Sequence, residues 1–185
     1  MTATSSLSLP QPLLLTPPRF GDDRGWFSET WRKDRCAEAG ITAEFVQDNQ
    51  SFSVHRGTVR GLHCQLAPFA QAKLVRVLAG SIFDVVVDLR RSSPFYGRHQ
   101  TFRLDAETGE QLFVPAGFAH GFCTLEPHTM VTYKVDAYYS REHDRTLLWN
   151  DPALGIAWPV GAGEAILSDK DRAALTLGAL GPVFA

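Results

Sequence analysis

The sequence predicts a mostly β protein, a sandwich or jelly-roll barrel with short flanking helices, and three observations carry that prediction. Short runs rich in Val, Ile, Phe, Tyr and Thr recur about every ten residues. Gly, Pro, Ser and Asn clusters punctuate them at similar spacing, and helical periodicity is scarce. A chain of 185 residues fits one compact domain, 1–185, which should bury roughly 70% of the surface its unfolded form exposes.

From the N-terminus, Met1–Pro12 is Ser/Thr/Pro-rich without a basic lead and reads as a loose tail. The apolar run Leu13-Leu14-Leu15 that follows is too short for a signal core or a membrane span and reads as a first strand. Glu29–Ala39 carries good helix formers with Gly40 as a stop. Strands are expected at Phe45–Gln50, Thr58–Gln65, Lys73–Leu78, Ile82–Leu89, His99–Leu104, Gln111–Val114, Gly121–Leu125, Thr129–Tyr138 and Thr146–Trp149. Between them lie turn signals such as Ala79-Gly80-Ser81, Ser92-Ser93-Pro94, Pro115-Ala116-Gly117 and Asn150-Asp151-Pro152. A second helix is expected over Asp169–Leu177, with acidic residues at its start and Gly178 at its end. The Ala/Gly/Leu-rich stretch after Ile156 reads as a cover on the barrel, and no repeat or linker divides the chain.

A net charge of -2 and a pI near 6.3 lack the basic balance of a nucleic-acid binder. An anionic ligand must therefore be met by a few placed Lys and Arg residues, which suits a small molecule. Cys36, Cys64 and Cys123 are odd in number and without CxxC spacing, so they read as free thiols in a reducing compartment, the cytoplasm. No membrane segment is expected.

The histidines pose the question of a metal. Gly109, Pro115, Gly117 and His120 are spaced like the second motif of the cupin superfamily. The first motif fails: Gly57 and His63 match, but Gln65 stands where a second His belongs and no acid follows among Leu66–Ala70. Two imidazoles under-coordinate a transition metal, so none is expected. On an extended Val59–Gln65, His63 shares a polar face with Gly61 and Gln65, where an imidazole is either a hydrogen-bonded core residue or a general base. Tyr133 alternates with Val131 and Val135 and is either a wall aromatic or an acid. Lys73 is either an edge-strand charge or an inward cation.

Arg60-Gly61-Leu62-His63, Lys73-Leu74-Val75-Arg76, Pro115–Phe122 and Tyr133-Lys134 resemble the dTDP-4-dehydrorhamnose 3,5-epimerase family. So do Phe20–Gly25, Phe45–Asn49, Leu148–Pro152 and Lys170-Asp171, and the resemblance runs from about Thr16 to Asp171. It implies a cofactor-free and metal-free cupin jelly roll, the double-stranded β-helix, usually a homodimer. The implied reaction inverts C3 and C5 of a dTDP-linked 4-keto-6-deoxyhexose. It also implies His63 as base, Tyr133 as acid, Asp171 as the partner of His63, and Lys73 as the cation beside the 4-keto oxygen. Arg60 and Lys170 match positions near the diphosphate, and His120 a further polar contact. Arg24, Glu29, Gln47 and Asn49 match positions that meet the nucleotide, some supplied by the partner subunit, and Tyr139 and Asp144 are further expected substrate contacts.

The chemistry fits these residue types. Both reacting carbons flank one ketone, so one cation serves both enolates. Inversion needs the new proton to arrive on the opposite face, hence two groups on two walls. Two departures from the family stand out. Cys64 replaces an aromatic after the base, and Asp144 replaces a Glu, whose shortening is expected to lose a polar contact or bridge it by water. Competing readings are a 3- or 5-monoepimerase of a related sugar, a metal-dependent cupin oxygenase, and a non-catalytic nucleotide-sugar-binding barrel.

Overall fold

The computed structural model describes residues 10–184. Its elements run β1 (Leu13–Leu15), β2 (Phe20–Asp22), β3 (Gly25–Phe27), α1 (Lys33–Glu38), β4 (Gln47–Ser53), β5 (Val59–Gln65), β6 (Lys73–Ala79) and β7 (Ser81–Asp88). They continue through β8 (His99–Asp105), β9 (Gln111–Val114), β10 (Phe118–Thr124), β11 (Thr129–Val135), β12 (Asp144–Thr146), α2 (Asp169–Arg172) and α3 (Leu177–Leu180). Two antiparallel sheets of five strands form, in the orders β1-β9-β6-β11-β4 and β12-β5-β10-β7-β8, and β2 and β3 make a separate hairpin. The expected jelly roll, a double-stranded β-helix, is what the chain adopts.

The two sheets are joined by a shared core. Val75, Val77, Leu112, Val114 and Val131 of the first sheet pack against Ile82, Val86, Leu104, Phe118 and Phe122 of the second. Burying such a side chain fully contributes about 1.5–3 kcal/mol. Strand β7 is covered on both faces, which is why it reads as an apolar run from Ile82 to Val87 interrupted only by Asp84. Ile82 and Val86 face the inter-sheet core, while Val85 and Val87 pack outward under Leu154, Ile156, Trp158, Leu177, Leu180, Val183 and Phe184. The C-terminal stretch is therefore the lid on the second sheet's outer face.

Several boundaries differ from expectation. Helix α1 starts at Lys33 rather than Glu29, because Thr30's carbonyl accepts from Gln111 Nε2 at 2.6 Å and the Glu29 carboxylate is taken by Arg32 and Arg35. The expected helix Asp169–Leu177 is broken into α2 and α3. Leu175 between them is drawn into a parallel bridge with Leu147, with Leu148 N–H donating to Leu175 O at 2.7 Å. The strand expected at Thr146–Trp149 begins at Asp144, where Asp144 pairs with Gln65 and Thr146 with His63. Of the expected loose tail, residues 1–9 lie outside the described residues, and the Pro10 carbonyl accepts from Arg90 Nη1 at 2.5 Å. Among the described residues no helix is long and apolar enough to cross a membrane.

Candidate active site

Where the inter-sheet core ends at Phe122 and Tyr133, the barrel opens into two cavities of about 370 and 380 Å³ that share His63, Lys73 and Tyr133 in their walls. Strand β5 supplies one wall. Simple alternation would put Arg60 and His63 on opposite faces, yet both line the first cavity. The cause is an extra residue in β5: His120 pairs with His63 and Phe122 with Arg60, so Gly121 of β10 alone stands opposite Gly61 and Leu62 of β5. Glycines make room for that bulge. A Cβ on Gly61, at φ +123°, would lie 2.6 Å from Gly121 Cα, and one on Gly121 would lie 2.6 Å from the Arg60 carbonyl oxygen.

His63 Nε2 lies 2.6 Å from Asp171 Oδ1. Asp171 is brought there by the chain after Ile166, which bridges to Thr58 and accepts from the Val59 N–H at 2.9 Å, laying α2 beside β5. Ser168 caps α2: its Oγ accepts from the Asp171 N–H at 3.2 Å and donates to Asp171 Oδ2 at 2.7 Å. Asp171 is thus at once a residue of the helix's first turn and the carboxylate of a dyad. Burial pushes its carboxyl up, but the His63 and Ser168 hydrogen bonds, the His63 charge and the Gly61 N–H outweigh this and hold it below its ordinary value. Burial depresses the His63 pKa, Asp171 opposes, the Lys170 and Lys73 charges add to the depression, and the net is downward. An ionised Asp171 holds the proton on Nε2 and leaves the lone pair on Nδ1.

Facing β5 from the other sheet stand Lys73 on β6 and Tyr133 on β11. Lys73 lies between β9 and β11, well inside its sheet, and is 9% exposed, so it is an inward cation rather than an edge charge. Its Nζ approaches the His63 carbonyl at 3.5 Å, and burial lowers its pKa. Burial raises the Tyr133 pKa, with Arg60 opposing, so the phenol keeps its proton near neutrality. Among the described residues no group hydrogen-bonds its hydroxyl.

The other predicted residues divide between the two cavities. Arg60 and His120 line the first, with Arg60 Nε donating to Ser53 Oγ at 3.1 Å. Gln47, Asn49, Tyr139, Asp144 and Lys170 line the second. Asp144 Oδ2 accepts directly from Tyr139 Oη at 3.1 Å and contacts Lys170 Nζ, and β12 places its backbone directly opposite Gln65. Arg24 and Glu29 line neither cavity. Arg24 pairs with Asp22 on the β2–β3 hairpin at 2.6 Å, and Glu29 is held by Arg32 and Arg35.

The structure adds residues that the sequence reading passed over. Asp84 accepts from His120 Nε2 at 2.9 and 3.1 Å and is completely buried; its signal was a lone acid at an inward position of an apolar strand. Ser168 was legible as the first residue of a Ser-x-x-Asp capping pattern. Among the described residues no three His, Cys, Asp or Glu side chains gather in an arrangement that could hold a metal.

Residues 6–178 match the family model described as dTDP-4-dehydrorhamnose 3,5-epimerase. The chain belongs to that family. A dTDP-4-dehydrorhamnose 3,5-epimerase of Sinorhizobium fredii is 53% identical over 170 residues, 90% of this chain and 85% of the relative. The crystal structure of dTDP-4-dehydrorhamnose 3,5-epimerase from Bacillus anthracis with TDP and PPi bound superposes with a TM-score of 0.87 at 54% identity, covering 90% of this chain and 94% of that one. The dTDP-6-deoxy-D-glucose-3,5-epimerase of Legionella pneumophila in complex with dTDP-4-keto-L-rhamnose gives a TM-score of 0.86 at 42% identity, covering 92% and 89%.

Proposed function

We propose that the protein is a dTDP-4-dehydrorhamnose 3,5-epimerase in which His63 and Tyr133 move protons on opposite faces of the sugar. It converts dTDP-4-dehydro-6-deoxy-D-glucose to dTDP-4-dehydro-L-rhamnose. One observation carries the assignment of roles: the His63–Asp171 dyad and Tyr133 stand on opposite sheets around one chamber, with the buried Lys73 beside them.

His63 Nδ1 takes the proton from C3 or C5, and the electron pair of the broken C–H bond delocalises into the C4 carbonyl. Lys73 stabilises the resulting enolate oxygen, the same oxygen in both inversions. Tyr133 then delivers its phenolic proton to the carbon from the other face. Exchange with solvent returns a proton to the tyrosinate and removes one from the imidazolium before the second inversion. Asp171 orients His63 and stabilises its charged form. Arg60 and Lys170 serve the diphosphate, Arg60 with the bidentate geometry an ammonium lacks. His120, held by Asp84, adds a polar contact at the sugar, while Gln47, Asn49, Tyr139 and Asp144 line the nucleotide's path. Arg24 and Glu29 act across a homodimer interface, which the exposed Phe20, Trp26 and Phe27 of the hairpin support. No cofactor takes part in this reaction, and the three free cysteines suit a cytoplasmic enzyme.

Incubating dTDP-4-dehydro-6-deoxy-D-glucose with the protein in D₂O tests the reading. Deuterium is expected at both C3 and C5. Label at one carbon alone would make the protein a monoepimerase, and no label would remove it from both classes. His63→Ala and Tyr133→Phe should each slow the exchange by about 10²–10⁴-fold. Unchanged exchange in both would remove His63 and Tyr133 from the acid–base roles, whereas a binding barrel would give no exchange in the parent protein.

A further inference from the structure

Among the described residues only two buried side-chain polar atoms lack a hydrogen-bond partner, Ser51 Oγ and Gln65 Nε2. Both residues line the His63 chamber, Ser51 in the cavity of Arg60 and Gln65 in that of Lys170. A buried donor left unpaired is costly and rare, and such atoms gather where a ligand completes them. Gln65 is the more informative of the two, because it is 4% exposed and its orientation is decided. Its Oε1 accepts from the Ser140 backbone N–H at 2.8 Å. That N–H can only donate, so the carbonyl end of the amide must face it and the NH₂ end is the one left over.

Gln65 also stands beside the chemistry. It lies two residues after His63 on β5 and opposite Asp144 on β12. Lys73 Nζ approaches the backbone carbonyl of His63, and Lys73 lines one cavity with Gln65, with Cys64 beside Gln65 in sequence and with Asp144 across from it. An ammonium has no lone pair to offer, and neither has the NH₂ end of an amide. Two donor-only groups in one cavity suit an oxygen that bears no proton. A sugar hydroxyl facing both would have to turn its own proton to a third group, whereas a ketone that becomes an enolate has none to place.

We propose that Gln65 Nε2 donates a second hydrogen bond to the C4 oxygen, so that Lys73 and Gln65 together hold the enolate in both inversions. This catalytic assignment rests on the epimerase reaction proposed above. Because the C4 oxygen is common to both half-reactions, loss of the Gln65 donor must slow exchange at C3 and at C5 alike.

The test uses the full chain with dTDP-4-dehydro-6-deoxy-D-glucose in D₂O, following label at each carbon, with dTDP affinity by calorimetry and thermal unfolding alongside. Gln65→Met removes the amide at nearly constant volume, and Gln65→Glu keeps an oxygen for Ser140 while removing the donor. In both, kcat for exchange is expected to fall about 10²-fold at the two carbons equally, with dTDP affinity within about 3-fold of the parent protein. If Gln65→Met does not fold, Gln65→Glu alone decides. A kcat within about 3-fold of the parent, a loss confined to KM or dTDP affinity, or a loss at one carbon only would overturn the assignment. Absence of exchange in the parent protein would instead withdraw the epimerase reaction, a result distinguishable from failure of Gln65.

Discussion

At His63, one hydrogen bond sets the chemistry. With Nε2 engaged by Asp171 at 2.6 Å, only Nδ1 can accept a proton, and a pKa lowered chiefly by burial keeps that nitrogen unprotonated at neutral pH. The sign for activity follows. A base with a depressed pKa stays competent as pH falls below the ordinary imidazole value of about 6.5, so the acid limb of kcat/KM should lie below that value. Asp171 is the main influence raising the His63 pKa against burial and the Lys170 and Lys73 charges. Asp171→Asn removes that opposition, so the acid limb should move to still lower pH. Turnover should fall by about 10²–10⁴-fold, since the imidazolium formed on abstraction loses its counter-charge. Substrate affinity should change little. A pH–rate profile with a KM determination checks all three, and an unmoved limb with unchanged kcat would take Asp171 out of the mechanism. Side-chain identity made His63, Tyr133 and Lys73 legible as candidates. The pairing of His63 with Asp171, 108 residues away, is a tertiary fact that local pattern does not carry. Gln65 was visible as a missing metal ligand and a neighbour of His63 on one face, but nothing in the sequence reveals that its amide is buried with one end unpaired.

At the scale of elements, most strands were legible because alternation and turn residues act locally, as in β4, where Gln47, Asn49, Ser51 and Ser53 alternate with exposed Asp48, Gln50 and Phe52. That inward row of polar side chains marks a strand lining a ligand chamber rather than a dry core. Two features resisted such reading. Helical propensity alone ran Asp169–Leu177 together, whereas backbone pairing of Leu175 with Leu147 interrupts it. The bulge in β5 defeated alternation at Arg60, since an extra residue turns the next side chain to the same face. The bulge depends on close backbone contact between Gly61 and Gly121, which makes Gly121→Ala a test. Its Cβ would meet the Arg60 carbonyl at 2.6 Å, Gly61 Cα at 2.9 Å and Leu62 Cδ2 at 3.1 Å, so β5 and β10 must separate. A loss of about 1–3 kcal/mol in stability is expected from chemical denaturation, accompanied by weaker dTDP binding as Arg60 shifts. Full stability would show that the two strands do not need this contact.

Considered as a whole molecule, one chain brings His63, Asp171, Lys73 and Tyr133 around its chamber but leaves two of the residues proposed to meet the nucleotide outside it. Arg24 and Glu29 sit away from the chamber, Arg24 on a hairpin whose Phe20, Trp26 and Phe27 are 55%, 58% and 65% exposed. Large aromatics left in water on a small separate hairpin suit a surface that closes against another chain. In a two-fold dimer each hairpin would then serve its partner's site. That arrangement predicts complementation between two crippled proteins. His63→Ala lacks the base but keeps a sound hairpin, and Arg24→Ala keeps the base but lends its partner a defective hairpin. In a mixed dimer one site combines the intact base with the intact hairpin, and the other carries both defects. After dissociation and re-association of equal amounts, half the dimers are mixed and each has one sound site, so activity at subsaturating substrate should return to about one quarter of the unaltered protein's. If each chain used its own Arg24, the mixture would show only the average of the two variants measured separately.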